Sequence, residues 1–410
     1  MCRVRIHFFV ALMLSSLVVG CAAPGADGDS EGRIIEREVA EAPQFEPAPQ
    51  SAAPSASAVL GALAAPAAAP APAWGFSVDG QTRAGYALQT VYFATDRNVQ
   101  AVAPLRFGAM QADQLSYGVC VVSIPDVHKS GVLETPSIWK FEFSENPKKH
   151  IVLLDARKMD AGHYLDQIRG LVGRAPKRNL FVFVHGFNVS FEDAARRTAQ
   201  IAFDLHFEGA AIFYSWPSQG KLLPYPADET NAERTAVNLQ QFLLDIAGQT
   251  GAENIYLIGH SMGNRPLAHA LAEIAKSGKR IDGQVKELIL AAPDIDAAVF
   301  MRQIAPFLTR AAQGITLYVS DRDKALRASE KLHRYPRAGQ TRDLVVLAGM
   351  DTVDASLVDT DFLGHAYFVH NRALLTDIAY IFNDHFRAAQ RAGLHRVRRS
   401  DAIVYWQFDR

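Results

Sequence analysis

Cysteine is scarce in this chain: three in 410 residues, at positions 2, 21 and 120. Neither a paired-cysteine spacing nor an H-E-x-x-H run occurs, which excludes the usual zinc signatures. The sequence also lacks a G-x-G-x-x-G run and a phosphate loop, so the common dinucleotide and nucleoside-triphosphate sites are excluded too. No cofactor and no metal is expected. Charge of one sign is missing as well. Lys and Arg number 42 against 43 Asp and Glu, a net charge of −1, which gives no electrostatic case for a nucleic-acid partner. Internal repeats are absent. The chain also lacks a long apolar run at its start: the stretch from Phe8 to Gly20 falls short of the ~20 residues that a bilayer span needs.

What stands at the N-terminus instead is the layout of an export signal. Arg3 and Arg5 precede that apolar stretch, and small residues follow it. Val18-Val19-Gly20-Cys21 resembles the lipobox of bacterial lipoproteins. The resemblance implies a signal peptide over residues 1–20. It also implies a lipid on Cys21, which becomes the mature N-terminus, and membrane attachment through that lipid. Ala22, where an aspartate would signal inner-membrane retention, points to the outer membrane. An ordinary cleaved signal or an uncleaved anchor are the alternatives. Residues 21–85 are rich in Ala, Pro and Ser and bury too little apolar surface to offset ordering entropy, so a disordered tether is expected. Cys120 would then be the one free thiol, set in a strand-like run from Tyr117 to Ile124 and buried there.

One folded domain is expected over residues 86–392, with a basic, solvated tail over 393–410. Strand-like runs occur at 90–94, 115–124, 139–143 and 150–154. Nearly unbroken apolar strands at 179–184, 210–216, 254–258, 287–291 and 315–319, and a short one at 344–347, alternate with helical patterns at 191–205, 231–247, 264–276, 297–308 and 371–388. Alternation of this kind implies an α/β fold with a mostly parallel, doubly wound sheet. The early helix-free strands would form its antiparallel edge.

Gly259-His260-Ser261-Met262-Gly263 follows one of those strands and opens a helix. This is the setting of a nucleophile elbow, in which a sharp strand-to-helix turn presents a serine hydroxyl at its tip. Reacting groups of open α/β sheets gather beyond the carboxyl ends of the strands. The polar residues expected there are His185-Gly186-Phe187-Asn188, Ser261, Asp294 and Asp296, and Asp321 and Asp323. His365 follows, ahead of the last helix, so the chain order is Ser, Asp, His.

These segments resemble the α/β-hydrolase superfamily, and more narrowly a bacterial group of α/β-hydrolases of unknown function. The resemblance rests on Tyr92 to Arg97, His185 to Asn188, Ser215 to Ser218, Gly259 to Asn264, Ala292 to Asp296 and Asp323 to Leu326. It implies Ser261 as nucleophile, His365 as general base with His370 as rival, and Asp323 as the orienting acid. Asp321, Asp294 and Asp296 remain alternatives for that acid. The implied oxyanion hole uses the backbone N–H groups of Met262 and Phe187. Asn188 could add a donor or serve the turn, and His185 is expected to brace the loop. Trp216, Tyr225 and Asp228 either shape the substrate pocket or pack the loop. The expected activity is hydrolysis of a small-molecule carboxylic ester through an acyl-enzyme. An amidase, thioesterase or acyltransferase, or a non-catalytic envelope scaffold, are the alternatives.

Overall fold

A strand with five apolar residues in a row, as at Leu180 to Val184, needs cover on both faces, and the sheet provides it. Along Asn179–Val184, Leu180, Val182 and Val184 pack into one apolar cluster, while Phe181 and Phe183 pack into another. The computed structural model describes residues 83–100, 105–136, 142, 144–219, 225–279, 281, 283–358, 372–400 and 403–409. All of them belong to the compact unit Pro72–Arg410.

The strands are β1 (Tyr86–Gln100), β2 (Arg106–Pro125), β3 (Val152–Met159), β4 (Asn179–Val184), β5 (Gly209–Ser215), β6 (Asn254–His260), β7 (Val285–Ala291), β8 (Gly314–Val319), β9 (Asp351–Asp354), β10 (Leu394–Ser400) and β11 (Ile403–Phe408). They form one sheet in the order β3-β2-β1-β5-β4-β6-β7-β8-β9-β11-β10. Pairing is parallel from β1 through β5, β4, β6, β7, β8 and β9 to β11. It is antiparallel at both margins, β1-β2-β3 on one side and β10-β11 on the other.

The helices are α1 (Ala161–Arg174), α2 (Phe191–Asp204), α3 (Tyr225–Gln249), α4 (Asn264–Lys276), α5 (Lys324–His333) and α6 (Arg372–Asp384). Apolar residues of α1, α3 and α4 (Ile168, Phe242 and Leu271 among them) join the first cluster. Residues of α2 and α6, including Phe191, Ile378 and Phe382, join the second. The sheet therefore lies between two helical layers, as the alternation of patterns predicts. Among the described residues no helix is long and apolar enough to cross a membrane.

Several elements differ from the sequence expectations. Residues 344–347 are irregular, and the strand beside β8 is Asp351–Asp354. It was hidden because Asp351 and Asp354 bracket only two residues of strand character. The expected strand at 139–143 lies almost wholly outside the described residues. Helix α1 was not anticipated, although Asp160 caps it by accepting from the His163 N–H at 2.9 Å. Helix α5 was also missed. The helical run 297–308 contains a π turn at Phe300–Ile304.

The largest correction concerns residues 393–410. Within that range, residues 394–400 and 403–408 are not a tail: they are β10 and β11, which pair with each other and continue the sheet through β9. Arg391, just before β10, is buried and pairs with Asp377 at 2.8 Å and Asp351 at 3.3 Å. A basic composition thus concealed both a structural ion pair and a strand pair whose apolar residues, Leu394, Trp406 and Phe408, pack on the second cluster.

Candidate active site

At the carboxyl end of β6 the chain turns sharply into a single tight turn, Ser261–Gly263, and then into α4. Ser261 takes a φ of +51°, in the left-handed region that L-residues disfavour. Such strain persists only where surrounding contacts over-determine it. The Ser261 carbonyl accepts from the Asn264 side-chain amide at 3.0 Å and from the Asp294 N–H at 3.3 Å. The same Asn264 amide donates to the Ala291 carbonyl at 3.0 Å, tying the elbow to β7. A Cβ on Gly263 would stand 2.2 Å from the His185 carbonyl oxygen, so only glycine lets the elbow approach β4. The tip of the elbow is not open to solvent: Ser261 is 2% exposed. The elbow projects the residue beyond the sheet, but neighbouring loops pack over it.

The nearest of these loops follows β4. A Cβ on Gly186 would lie 2.9 Å from the Ser261 Cβ, so this loop runs directly against the serine. His185 fixes it. Its Nδ1 lies 2.9 Å from the Gly186 carbonyl, which can only accept, so Nδ1 carries the proton. Its Nε2, 3.1 Å from the Ser215 hydroxyl, then accepts from that hydroxyl. Burial, and next the Arg97 charge, push the His185 pKa down to about 3, so the ring is neutral. The imidazole stacks on Trp216 with ring centroids 5.2 Å apart, and the Trp216 Nε1–H donates to the His185 carbonyl at 2.7 Å. His185 is therefore a brace, as expected, and Trp216 packs the loop.

Arg97, at the end of β1, extends the brace. Its guanidinium donates to the Ser215 hydroxyl at 2.8 Å, and to the carbonyls of Gly108 at 3.1 Å, Ser218 at 2.9 Å and Val189 at 2.8 Å. Burial lowers its pKa to about 10, which leaves it charged at neutral pH. Asp228 is also structural. It accepts from the Ser218 hydroxyl at 2.6 Å, the Gln219 N–H at 2.9 Å and the Asn188 N–H. Asn188 has a φ of +58°, which is the geometry of a turn residue.

The four candidate carboxylates divide by environment. Asp296 caps the next helical turn, accepting from the Val299 N–H at 2.9 Å. Asp294 is buried among Tyr225, Ser329, Arg265 and Arg337: the Ser329 hydroxyl donates to it at 2.6 Å, and the two guanidinium groups lie 3.7 Å and 3.5 Å from the same carboxyl oxygen. Asp321 is exposed. Asp323, beyond β8, is fully buried, and one of its oxygens accepts from the Leu326 N–H at 2.9 Å as the cap of α5.

Ser261, Met262, the Gly186-Phe187 loop and the post-strand aspartates thus share one edge of the sheet. His365, His370 and Cys21 lie outside the described residues. The described chain leaves β9 at that same edge, where the Ser356 hydroxyl accepts from the Asp321 N–H at 2.9 Å. The cluster of Arg265, Ser329 and Arg337 around Asp294 had no signal in the sequence. Its members come from three separate segments, and no spacing links them.

A sequence profile matches residues 164–381, that of the family described as alpha/beta hydrolase of unknown function (DUF900). The chain belongs to this family. An uncharacterized protein, alr1448, of Nostoc sp. (strain PCC 7120) is 35% identical over 65 residues; these make up 16% of this chain and 17% of that protein, so the match spans about a sixth of that relative's length. Two solved structures are similar to it. A hyperthermophilic esterase from the archaeon Pyrobaculum calidifontis is 14% identical, with 66% of this chain and 82% of that one covered at a TM-score of 0.29. An esterase from the fungus Rhizomucor miehei is 10% identical, with 72% and 84% covered at a TM-score of 0.31.

Proposed function

We propose that this alpha/beta hydrolase is a serine esterase that works through Ser261, His365 and Asp323. The observation that carries the reading is the left-handed Ser261 at the end of β6, held against the Gly186-Phe187 loop. A serine kept at that cost in backbone strain, beside a rigidly braced loop, has the mechanics of a nucleophile elbow.

In the proposed reaction the Ser261 Oγ attacks the ester carbonyl carbon and its proton passes to His365. The oxyanion is held by the N–H groups of Met262 and Phe187. Collapse breaks the carbon–oxygen bond, and the alcohol leaves with the proton from His365. Water then repeats the sequence on the acyl-enzyme, releasing the acid and restoring Ser261. Asp323 orients the imidazole and stabilises its cation. Burial supports Asp323 over Asp321. The arginines and hydroxyls already gathered on Asp294 speak against that residue as the acid.

The test is turnover of short p-nitrophenyl acyl esters together with labelling by a fluorophosphonate probe. Wild type should hydrolyse the esters and be labelled at Ser261, and Ser261→Ala should do neither. Unchanged turnover in Ser261→Ala would overturn the assignment, and an inert Ser261 in wild type would favour a scaffold. Amide and thioester analogues, with an alcohol acceptor present, separate esterase from amidase, thioesterase and acyltransferase.

We further propose that Cys21 carries a lipid and tethers the enzyme to the outer membrane. The basic start, the short apolar run and the lipobox-like Val18 to Cys21 support this. Mass spectrometry of the mature N-terminal peptide should find acylated Cys21, and an unmodified peptide starting elsewhere would refute it.

A further inference from the structure

Asp294 follows β7, yet its contacts reach both sides of the serine. On one side its own N–H donates to the Ser261 carbonyl at 3.3 Å. The Arg265 Nε, one residue beyond Asn264 in the first turn of α4, donates to the Asp294 carbonyl at 2.6 Å. These bonds fix the Asp294 backbone to the elbow. On the other side its carboxylate accepts from the Tyr225 hydroxyl, which also lies 3.0 Å from the Ser329 hydroxyl. The Tyr225 ring packs on Phe187 with centroids 5.1 Å apart, and on His333 at 5.8 Å. Glu229, one turn along α3, pairs with both Arg265 and His333 at 2.7 Å.

We infer that Asp294 and Tyr225 form a positioning pair that sets the distance between Ser261 and Phe187, and so the width of the proposed oxyanion hole. This rests on the assignment of Ser261 and Phe187 given above. The Asp294 backbone holds the elbow, its carboxylate holds the Tyr225 hydroxyl, and the Tyr225 ring holds Phe187. Neither residue need touch the reacting atoms. The pair acts on the spacing of the donors, and a misplacement of about 1 Å in such a site costs on the order of 100-fold in rate. Arg265, Arg337 and Ser329 hold the carboxylate in place, while Ser329 and Glu229 link α5 and α3 to the same point.

The experiment compares wild type with Tyr225→Phe and Asp294→Asn in ester hydrolysis, in inhibition by an alkyl boronic acid that mimics the tetrahedral state, and in fluorophosphonate labelling. Tyr225→Phe removes one oxygen and keeps the ring. It should lower kcat by roughly 10- to 100-fold. KM should stay within about twofold, because ground-state contacts are untouched. The boronic acid should weaken in step with kcat/KM, and Ser261 should still label to completion. A merely structural role would lower the folded fraction, and hence labelling, without this split. Unchanged kcat and boronate inhibition in Tyr225→Phe, or a loss confined to KM, would overturn the inference while leaving Ser261 as nucleophile. Absence of Ser261 labelling in wild type would instead overturn the nucleophile assignment and this inference with it. If Asp294→Asn does not fold, Tyr225→Phe decides alone.

Discussion

Gly263 and His185 lie so close that a Cβ on the first would sit 2.2 Å from the carbonyl oxygen of the second. The elbow and the β4 loop are therefore positioned by direct backbone contact. Gly263→Ala must push them apart, and overpacking of this kind costs about 1–3 kcal/mol. Turnover should fall by at least tenfold in the fraction that folds. Urea unfolding and ester kinetics on the same preparation check both parts, and wild-type turnover in Gly263→Ala would refute the contact.

The two aspartates beyond β8 should separate cleanly. Asp323→Asn keeps a good helix cap but cannot stabilise an imidazolium, so kcat should fall on the order of 10³- to 10⁴-fold with little change in melting temperature. Asp321→Asn alters an exposed side chain and should stay within about twofold of wild type. The reverse pattern in steady-state kinetics would move the acid to Asp321.

His185 gives stability a pH dependence with a definite sign. Its folded pKa is pushed down to about 3, whereas the unfolded value is near 6.5. Between these values the unfolded chain binds the proton and the folded one does not. The contribution of this residue is therefore complete above pH 6.5 and is lost as pH falls toward 3, at about 1.4 kcal/mol per pH unit. Urea midpoints of wild type and His185→Gln from pH 7 to pH 4.5 should show a shallower slope for the variant. Parallel slopes would mean that the ring is protonated in the folded state.

Arg391 should anchor the C-terminal hairpin. Arg391→Ala leaves Asp377 buried and uncompensated, which typically costs about 3–5 kcal/mol. Arg391→Met combined with Asp377→Leu removes both charges and should recover most of that loss. Chemical denaturation of the two variants measures the difference, and equal stability would show that the pair is not what holds the hairpin.

Much of this molecule is legible in its residues because the governing physics is local. Leu180 to Val184 and Ile255 to Ile258 are apolar or aromatic at successive positions, and such runs belong in a buried parallel sheet whatever surrounds them. The glycines at 259 and 263 mark a turn that no Cβ would survive. The failures have a shared cause. Residues 394–400 read as polar because they carry three arginines and a histidine on an exposed edge, which masks the mostly apolar run Ile403 to Phe408 beside them, and residues 351–354 carry two acids in four positions. Those strands exist because β8 and β9 offer open edges, and no local pattern encodes a partner 35 or more residues away in the chain.

The α/β class, the elbow at Ser261 and the candidate acids can all be read from the residues alone, since these follow from periodicity and from the demands of a tight turn. The folded structure sets the acids' surroundings: Asp294 is enclosed by two arginines, Asp296 and Asp323 each cap a helix, Asp321 stands in solvent and Asp323 is fully buried. It also decided that His185 is neutral and that Tyr225 reaches Asp294. Burial and long-range contact set these properties, and both come into being only when separate strands and helices meet at one edge of the sheet.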